Sequence, residues 1–484
     1  MCGIVGLCFT KPTMGFSLAL TAGGGIQHRG QQGAGVAIAG VKDLIVTRSD
    51  GLLRQIFPDP VIPSFNQPAY WILLHCRYGT SGNYEEINLQ PCLADINKKQ
   101  KAAVVHNGEF VNLEEIKKGL GFPIPLGASD TYIFAKYLEK IKGKSFEEKV
   151  IFALQGMAGS YGLIVGFGKK LVAARDRMGI RPLILGQFKD GWVLASETHA
   201  LDKINASIVR ELKRGEIIRI DGPRVETIFR IKPARYHFCD FEWDYFGRPD
   251  SLSSTHETKN GDTPDKWISF SSFRLECGRF LAQQSPIKKA DFVVGIPDSG
   301  IPLGLGYANS LGIPYQQYII RDHFDENGLM RLFMRDDEKS SIGKKVLGKL
   351  SLIPEKKLWK DKIVVLADDS IVRGNVSKQI TQAVLAVGAK EVHWIIGFPP
   401  VMYPCHLGIS IRQPEELIAF KHKGDPKKIA REIGATSVNY IAPENFVRAR
   451  KKYSRLTRSK KKNIFLANDG CGGCLTGVYP VPKE

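Results

Sequence analysis

Residues 363–377 read IVVLADDSIVRGNVS: an apolar run stops at two adjacent aspartates, Asp368 and Asp369, and a polar loop follows. Like charges side by side at the end of a buried strand repel, so something must use them. The next stretch, KQITQAVLAVGA, has helical spacing. Strand, carboxylates, turn and helix together suit a phosphorylated sugar. Carboxylates accept hydrogen bonds from vicinal ribose hydroxyls, and the backbone N–H groups of 370–377 at the helix N-terminus make an anion site. Gly374 permits a tight turn and Ser377 offers a hydroxyl. A charged strand end with Asp capping the helix is the plainer alternative.

Working outward, the chain from about residue 264 alternates helix with apolar strand: ADFVVGIP, GIPYQQYII, KIVVLADD, EVHWIIGF. That alternation predicts a doubly wound parallel sheet, whose ligands bind at the strands' carboxyl ends. Residues 1–230 differ: short apolar strands are broken by Gly and Asn turns, with helical spacing over 111–119 and 130–156. This half is expected to be α+β, helices outside strands. Residues 231–263 start aromatic, end polar and read as the junction.

At 484 residues, with 43% hydrophobic and 24% charged residues, the chain fits two globular domains. Neither a basic secretory start nor a run of roughly 20 apolar residues is seen, so the expectation is cytoplasmic, without membrane partners. The net charge of +19 is concentrated partly in 448–462, RARKKYSRLTRSKKK, which holds nine Lys/Arg and no acid. No aromatic-interleaved RNA motif accompanies it, so a solvated basic segment is expected rather than an RNA site. Nine cysteines without an export signal point to nucleophile or metal roles rather than disulfides. Cys8, Cys76, Cys92 and Cys277 lie in apolar contexts and are expected to pack.

The stretch DDSIVRG resembles the loop that binds phosphoribosyl diphosphate (PRPP) in type I phosphoribosyltransferases, in the version of the glutamine PRPP amidotransferases of purine synthesis. That family continues with two threonines and a serine; Asn375, Val376 and Ser377 stand here. VVGIPDSGIPLGLGYANSLGIPY matches its pyrophosphate loop at Asp298, Ser299 and Gly300. Residues 321–351 resemble its lid, with RDHF in place of a Lys-Asn-Arg-Tyr run. The resemblance implies PRPP contacts from Asp298, Ser299, Gly300, Asp368, Asp369, Ser370, Arg373, Gly374, Asn375 and Ser377, with Arg331 and Lys349 from the lid. It also implies Mg2+ at Asp368 and Asp369.

MCGIVG opens a second signature. Removal of Met1 would leave Cys2 with a free α-amine, titrating near pH 8, as its own general base. IQHRGQQGAG, LHCRYGTSG, VVHNGEF and ASDTYIF follow in order, and the set is similar to class II glutamine amidotransferases, N-terminal-nucleophile hydrolases of αββα architecture. By that match Cys2 is the nucleophile, Arg77 and Asp130 bind glutamine's α-carboxylate and α-ammonium, and Asn107 and Gly108 form the oxyanion hole; His28 and Arg29 organise the site. Taken singly, Arg77 could be a surface ion pair, Asn107-Gly108 a hairpin turn and Asp130 a helix cap.

CGGC at 471–474 is a metal-type pair. With FCDFEWDYFGRPDS and PPVMYPCHLGIS it resembles the iron–sulfur branch of the same family, which implies a [4Fe–4S] cluster on Cys239, Cys405, Cys471 and Cys474; Zn2+ on four cysteines is the chemical alternative. The expected architecture is thus an αββα glutaminase domain (1–230), a junction (231–263), an α/β type I phosphoribosyltransferase domain (264–447) and a basic tail carrying cluster cysteines (448–484). The resemblance implies glutamine and PRPP as substrates, purine-nucleotide effectors and a homo-oligomer, dimer or tetramer. A divergent amidotransferase with another phosphorylated acceptor and a non-catalytic regulatory paralogue are the alternative readings.

Overall fold

The computed structural model describes residues 1–58, 65–79, 86–254, 264, 267–321, 350–451 and 463–483. Thirteen strands build the amino-terminal half: β1 (Gly3–Met14), β2 (Gly33–Gly40), β3 (Leu44–Asp50), β4 (Pro68–Arg77), β5 (Cys92–Asp95), β6 (Lys101–Phe110), β7 (Gly159–Phe167), β8 (Lys170–Arg175), β9 (Ile184–Phe188), β10 (Gly191–Ala195), β11 (Ser207–Glu211), β12 (Glu216–Asp221) and β13 (Arg224–Arg230). They form two antiparallel sheets, ordered β11-β9-β10-β1-β4-β2-β3 and β13-β12-β8-β7-β6-β5.

Alternation along β1 explains the layering. Ile4 and Cys8 point into the core between the sheets with Trp71, Leu73, Val105 and Ile164. Val5, Leu7 and Phe9 point the other way, under the helix Phe16–Gly24. A period of two therefore feeds two cores at once. Three helices, Leu113–Leu120, Asp130–Lys140 and Phe146–Gln155, cover the second sheet's outer face. The result is the expected αββα sandwich. The single helical stretch read over 130–156 is two helices, because Ser145 caps a new one by accepting from the Glu148 N–H at 3.1 Å.

The junction contributes β14 (Phe238–Cys239), a tight helical turn Glu242–Phe246 and β15 (Leu252–Ser253), which pairs with β16 (Ile268–Ser269). The second half is built on β17 (Phe292–Gly295), β20 (Ile363–Asp368), β21 (Glu391–Ile396) and β22 (Ser437–Tyr440), parallel in that order. GIPYQQYII meets the edge of this sheet through a parallel bridge of Tyr315 to Val293, and its end forms β18 (Ile319–Arg321), paired antiparallel with β19 (Leu350–Leu352). β23 (Gly470–Cys471) returns from the tail to pair with β14. No helix among the described residues is long and apolar enough to cross a membrane.

One core joins the halves: Cys2 and Tyr78 from the sandwich, Phe241, Trp243 and Phe246 from the junction, and Val365, Phe398 and Phe446 from the second half. Next to it the helices Phe270–Gln284 and Gly300–Leu311 touch backbone to backbone. A Cβ on Gly278 would stand 2.1 Å from the Leu303 carbonyl oxygen, and one on Gly306 2.0 Å from that of Leu275. G278A is expected to cost about 2 kcal/mol by forcing the helices apart, read as a lower urea midpoint.

Candidate active sites

The first site is a pocket between the two sheets' ends. Its lining brings together Cys2, Arg77, Gly108 and Asp130, with Tyr78, Gly79, Asn88, Gln90, His106, Ser129 and Thr131. β1 starts beside Cys2, β4 ends at Arg77, β6 carries Asn107 and Gly108, and a helix begins at Asp130. The Cys2 Sγ lies 3.5 Å from both the N–H and the carbonyl oxygen of Tyr78. Burial pushes the thiol up from its ordinary value, while the chain's amino terminus and Arg77 work in the opposite direction.

The plainer readings of these residues do not hold. Arg77 is only 4% exposed. Asn107-Gly108 runs through the middle of the β6–β7 pairing instead of a hairpin turn. Ser129, not Asp130, caps the helix, accepting from the Tyr132 N–H. Asn107 is fully buried, and neither its amide nitrogen nor its oxygen has a hydrogen-bond partner among the described residues. A buried orphan donor costs about 1–3 kcal/mol unless a ligand meets it. Gly108 has φ +149°, and a Cβ there would strike the Ser160 carbonyl oxygen at 2.0 Å, so the position requires glycine. The Asp130 carboxylate accepts the N–H groups of Phe110 (3.0 Å) and Thr131 (2.7 Å).

Gln90 was not foreseen. Its oxygen accepts the His106 N–H at 2.7 Å and its nitrogen donates to the Thr131 hydroxyl at 2.9 Å, bracing the pocket wall. Arg29 contacts the candidate nucleophile's backbone: its Nε donates to the Cys2 carbonyl at 3.0 Å while its other nitrogens hold Glu242 (2.7 and 3.0 Å) and Glu197 (2.5 Å). Glu197 also holds His28 at 2.9 Å. Burial alone would raise the Glu197 carboxyl; His28 and Arg29 outweigh it and hold the group well below the usual range.

The second site lies at the carboxyl ends of β17 and β20. Asp368 ends β20, Ser370 donates to the Asp369 carboxylate at 2.9 Å, and the Ser299 hydroxyl makes a close bond to its other oxygen. The two loops picked out in sequence thus meet. Burial, then the neighbouring Asp369, pushes the Asp368 carboxyl well above its ordinary value. Asp298 pairs with Arg321 at 2.9 Å. Gly300 is buried, and a Cβ there would lie 2.2 Å from the Ala367 carbonyl oxygen. Gly374 has φ +81°, a Cβ there would lie 2.5 Å from the Ile418 Cδ1, and Asn375 opens the helix Asn375–Ala386. Val376 packs into the sheet's core, Ser377 is buried, and Arg373 pairs with Glu416. Arg331, Lys349 and lid residues 322–349 lie outside the described residues, as do 452–462 of the basic segment.

Asp244, on the junction turn, was also missed. It is 1% exposed, its Oδ2 has no hydrogen-bond partner among the described residues, and burial together with Asp369 and Asp368 pushes it well up. A lone Asp inside an aromatic run carries no signal of its own in sequence.

The four cysteines share the interdomain core. Cys239 and Cys471 are register partners in the parallel β14–β23 pair. The Cys474 carbonyl accepts the N–H groups of Met402 (2.9 Å) and Tyr403 (3.0 Å), which draws in the loop carrying Cys405. All four are free thiols, each raised first by burial. A Cβ on Gly472 would lie 2.4 Å from the Phe465 ring and one on Gly473 2.2 Å from the Tyr479 ring, so CGGC fits only as glycine. Four neighbouring thiols in an apolar cradle are a soft donor set of the kind that iron–sulfur clusters take. Among the described residues no three His, Cys, Asp or Glu side chains close around a point as they would on a single ion.

A glutamine amidotransferase domain family model matches residues 81–203. The amidophosphoribosyltransferase of Archaeoglobus fulgidus is 32% identical, over 99% of this chain and 98% of that protein. The chloroplastic amidophosphoribosyltransferase of Glycine max is 33% identical, over 100% of this chain and 79% of its own length. The solved glutamine PRPP amidotransferase from B. subtilis, complexed with ADP and GMP, superposes with a TM-score of 0.83 at 29% identity, covering 100% of this chain and 98% of that one.

E197Q is expected to lower stability at neutral pH by about 3 kcal/mol, because Arg29 stays buried with less compensation. A depressed carboxyl contributes above its unfolded value of about 4.3, so the difference from the parent should shrink as pH falls below that value. Urea midpoints at pH 7 and pH 3.5 read both.

Proposed function

The chain belongs to the amidophosphoribosyltransferase family, and from that premise we propose how its own residues carry the reaction: glutamine's amide nitrogen is transferred to PRPP, giving 5-phosphoribosylamine, glutamate and pyrophosphate for purine biosynthesis. With Met1 removed, the Cys2 thiol attacks the side-chain amide carbon, and the α-amine takes the thiol proton and passes it to the leaving ammonia. Arg77 clamps the substrate α-carboxylate and Asp130 receives its α-ammonium. The orphan Asn107 amide and the Gly108 N–H meet the tetrahedral oxyanion, each worth about 3 kcal/mol of barrier. Water then frees glutamate from the thioester.

Ammonia is neutral and crosses apolar surroundings at low cost. A series of ring contacts supports its route. Tyr78, beside Cys2, meets Phe246 at 5.9 Å; Phe246 meets Phe241 at 5.5 Å; Phe241 meets Phe398 at 5.3 Å. The Phe398 N–H donates to the Asp369 carbonyl at 3.0 Å. That continuous path from nucleophile to paired aspartates is the observation that carries this reading. At its far end Asp368 and Asp369 hold the ribose hydroxyls, the 370–377 backbone holds the 5-phosphate and Asp298, Ser299 and Gly300 face the diphosphate. Ammonia attacks C1 as pyrophosphate leaves. Mg2+ would be held at Asp368 and Asp369 and would supply charge neutralisation of the diphosphate.

Cys239, Cys405, Cys471 and Cys474 would hold a [4Fe–4S] cluster in a structural role, since neither half-reaction moves electrons. Purine nucleotides are the expected effectors, in keeping with the ADP and GMP of the B. subtilis relative. A cytoplasmic homo-oligomer completes the reading.

C2A is expected to abolish phosphoribosylamine formation from glutamine while leaving synthesis from ammonium chloride within about twofold of the parent; equal loss of both would remove the nucleophile assignment. Anaerobically purified protein should contain about four iron and four sulfide per chain, and fully active protein with neither would remove the cluster.

A further inference from the structure

Glu109 follows the oxyanion glycine directly, yet its bond leads away from the glutamine pocket. Its carboxylate accepts the Gly408 N–H at 3.0 Å, from a loop of the other half of the molecule. One residue earlier in that loop, the Leu407 carbonyl accepts from the Ser160 hydroxyl at 2.9 Å and from the Arg181 guanidinium. Ser160 belongs to β7, the strand paired with β6, and is the register partner of Glu109.

The packing is as close as the bonding. Gly408 has φ +98°, and a Cβ there would sit 3.0 Å from the Gly108 carbonyl carbon and 3.1 Å from its oxygen. On Gly108 itself a Cβ would meet the Ser160 carbonyl oxygen at 2.0 Å. Gly108 is therefore held between its partner strand and a loop supplied from more than 290 positions away in sequence. That loop is in turn folded on itself, the Leu407 N–H donating to the Cys405 Sγ at 3.3 Å.

We propose that the loop 405–409 is a positioning element of the glutaminase site: by gripping Glu109 and Ser160 it sets the Gly108 N–H and the Asn107 amide at the distance the oxyanion requires. Glutamine hydrolysis then depends on the phosphoribosyl half being docked, which keeps ammonia from being released when no acceptor domain is in place. Oxyanion donors act over a few tenths of an ångström, and a displacement of about 1 Å can cost 100-fold in rate. Glu109 and Ser160 are thus positioning residues and touch no substrate.

The inference rests on Asn107 and Gly108 being the oxyanion donors, and the test separates the two. Steady-state kinetics are measured with glutamine and, separately, with ammonium chloride for N107A, E109L, E109Q and S160A. E109L, which keeps the bulk but loses the acceptor, is expected to lower the glutamine-dependent kcat about 100-fold, with little change in KM for glutamine and ammonia-dependent synthesis intact. E109Q retains an oxygen acceptor for the Gly408 N–H and should recover most of that loss. S160A removes a single bond to the loop and should show a smaller effect of the same kind. An unchanged kcat in E109L and S160A, with N107A impaired, overturns the positioning role alone. An unimpaired N107A overturns the oxyanion assignment beneath it. If E109L does not fold, S160A decides by the same split; parallel loss of the ammonia-dependent rate in either variant marks general interdomain damage and counts against the proposal.

Discussion

The buried ion pair between Arg29 and Glu242 is the constraint on which the two-site arrangement depends. Arg29 is wholly enclosed, and an enclosed guanidinium is tolerable only with its charge compensated and its donors met. Glu197 from the sandwich supplies one carboxylate and Glu242 from the junction the other, while Nε is left for the Cys2 carbonyl. The Cys2 backbone and the junction turn are therefore held by a single side chain. Arg181, 3.7 Å from Glu242, adds a second cation to the same knot.

From that knot the junction turn Glu242–Phe246 faces both ways. Glu242 looks back to the nucleophile, Phe246 and Phe241 carry ring contacts toward Phe398, and Asp244 approaches the paired aspartates. The six residues 241–246 thus reach both candidate sites, which explains why the aromatic junction is buried rather than a solvated linker. Beside the four cysteines, β14 and β23 tie the junction to the tail.

Much of the site was legible because it is written locally. Asp368-Asp369 at a strand end, Gly374 before a helix and CGGC at two-residue spacing are contiguous patterns whose chemistry follows from residue type. Other features depend on partners remote in sequence and left no local trace. Gln90 is an ordinary loop residue until His106 and Thr131 surround it. Arg373 gives no sign in sequence of its pairing with Glu416, nor Val376 of its packing against the sheet's core.

By itself the sequence determined the two fold classes, through strand periods of two and strand–helix alternation, and it determined the order of Cys2, the paired aspartates and the four tail-linked cysteines as candidates. Those depend on residue type and near neighbours. Only the tertiary structure decided that the Asn107 amide, in mid-strand, meets no partner among the described residues, that Arg29 bridges one carboxylate from the sandwich and one from the junction, and that the loop after Cys405 presses on Gly108. Each of these is a matter of which polar groups are left to satisfy one another once water is excluded, and that is settled only when the two halves close on a common core.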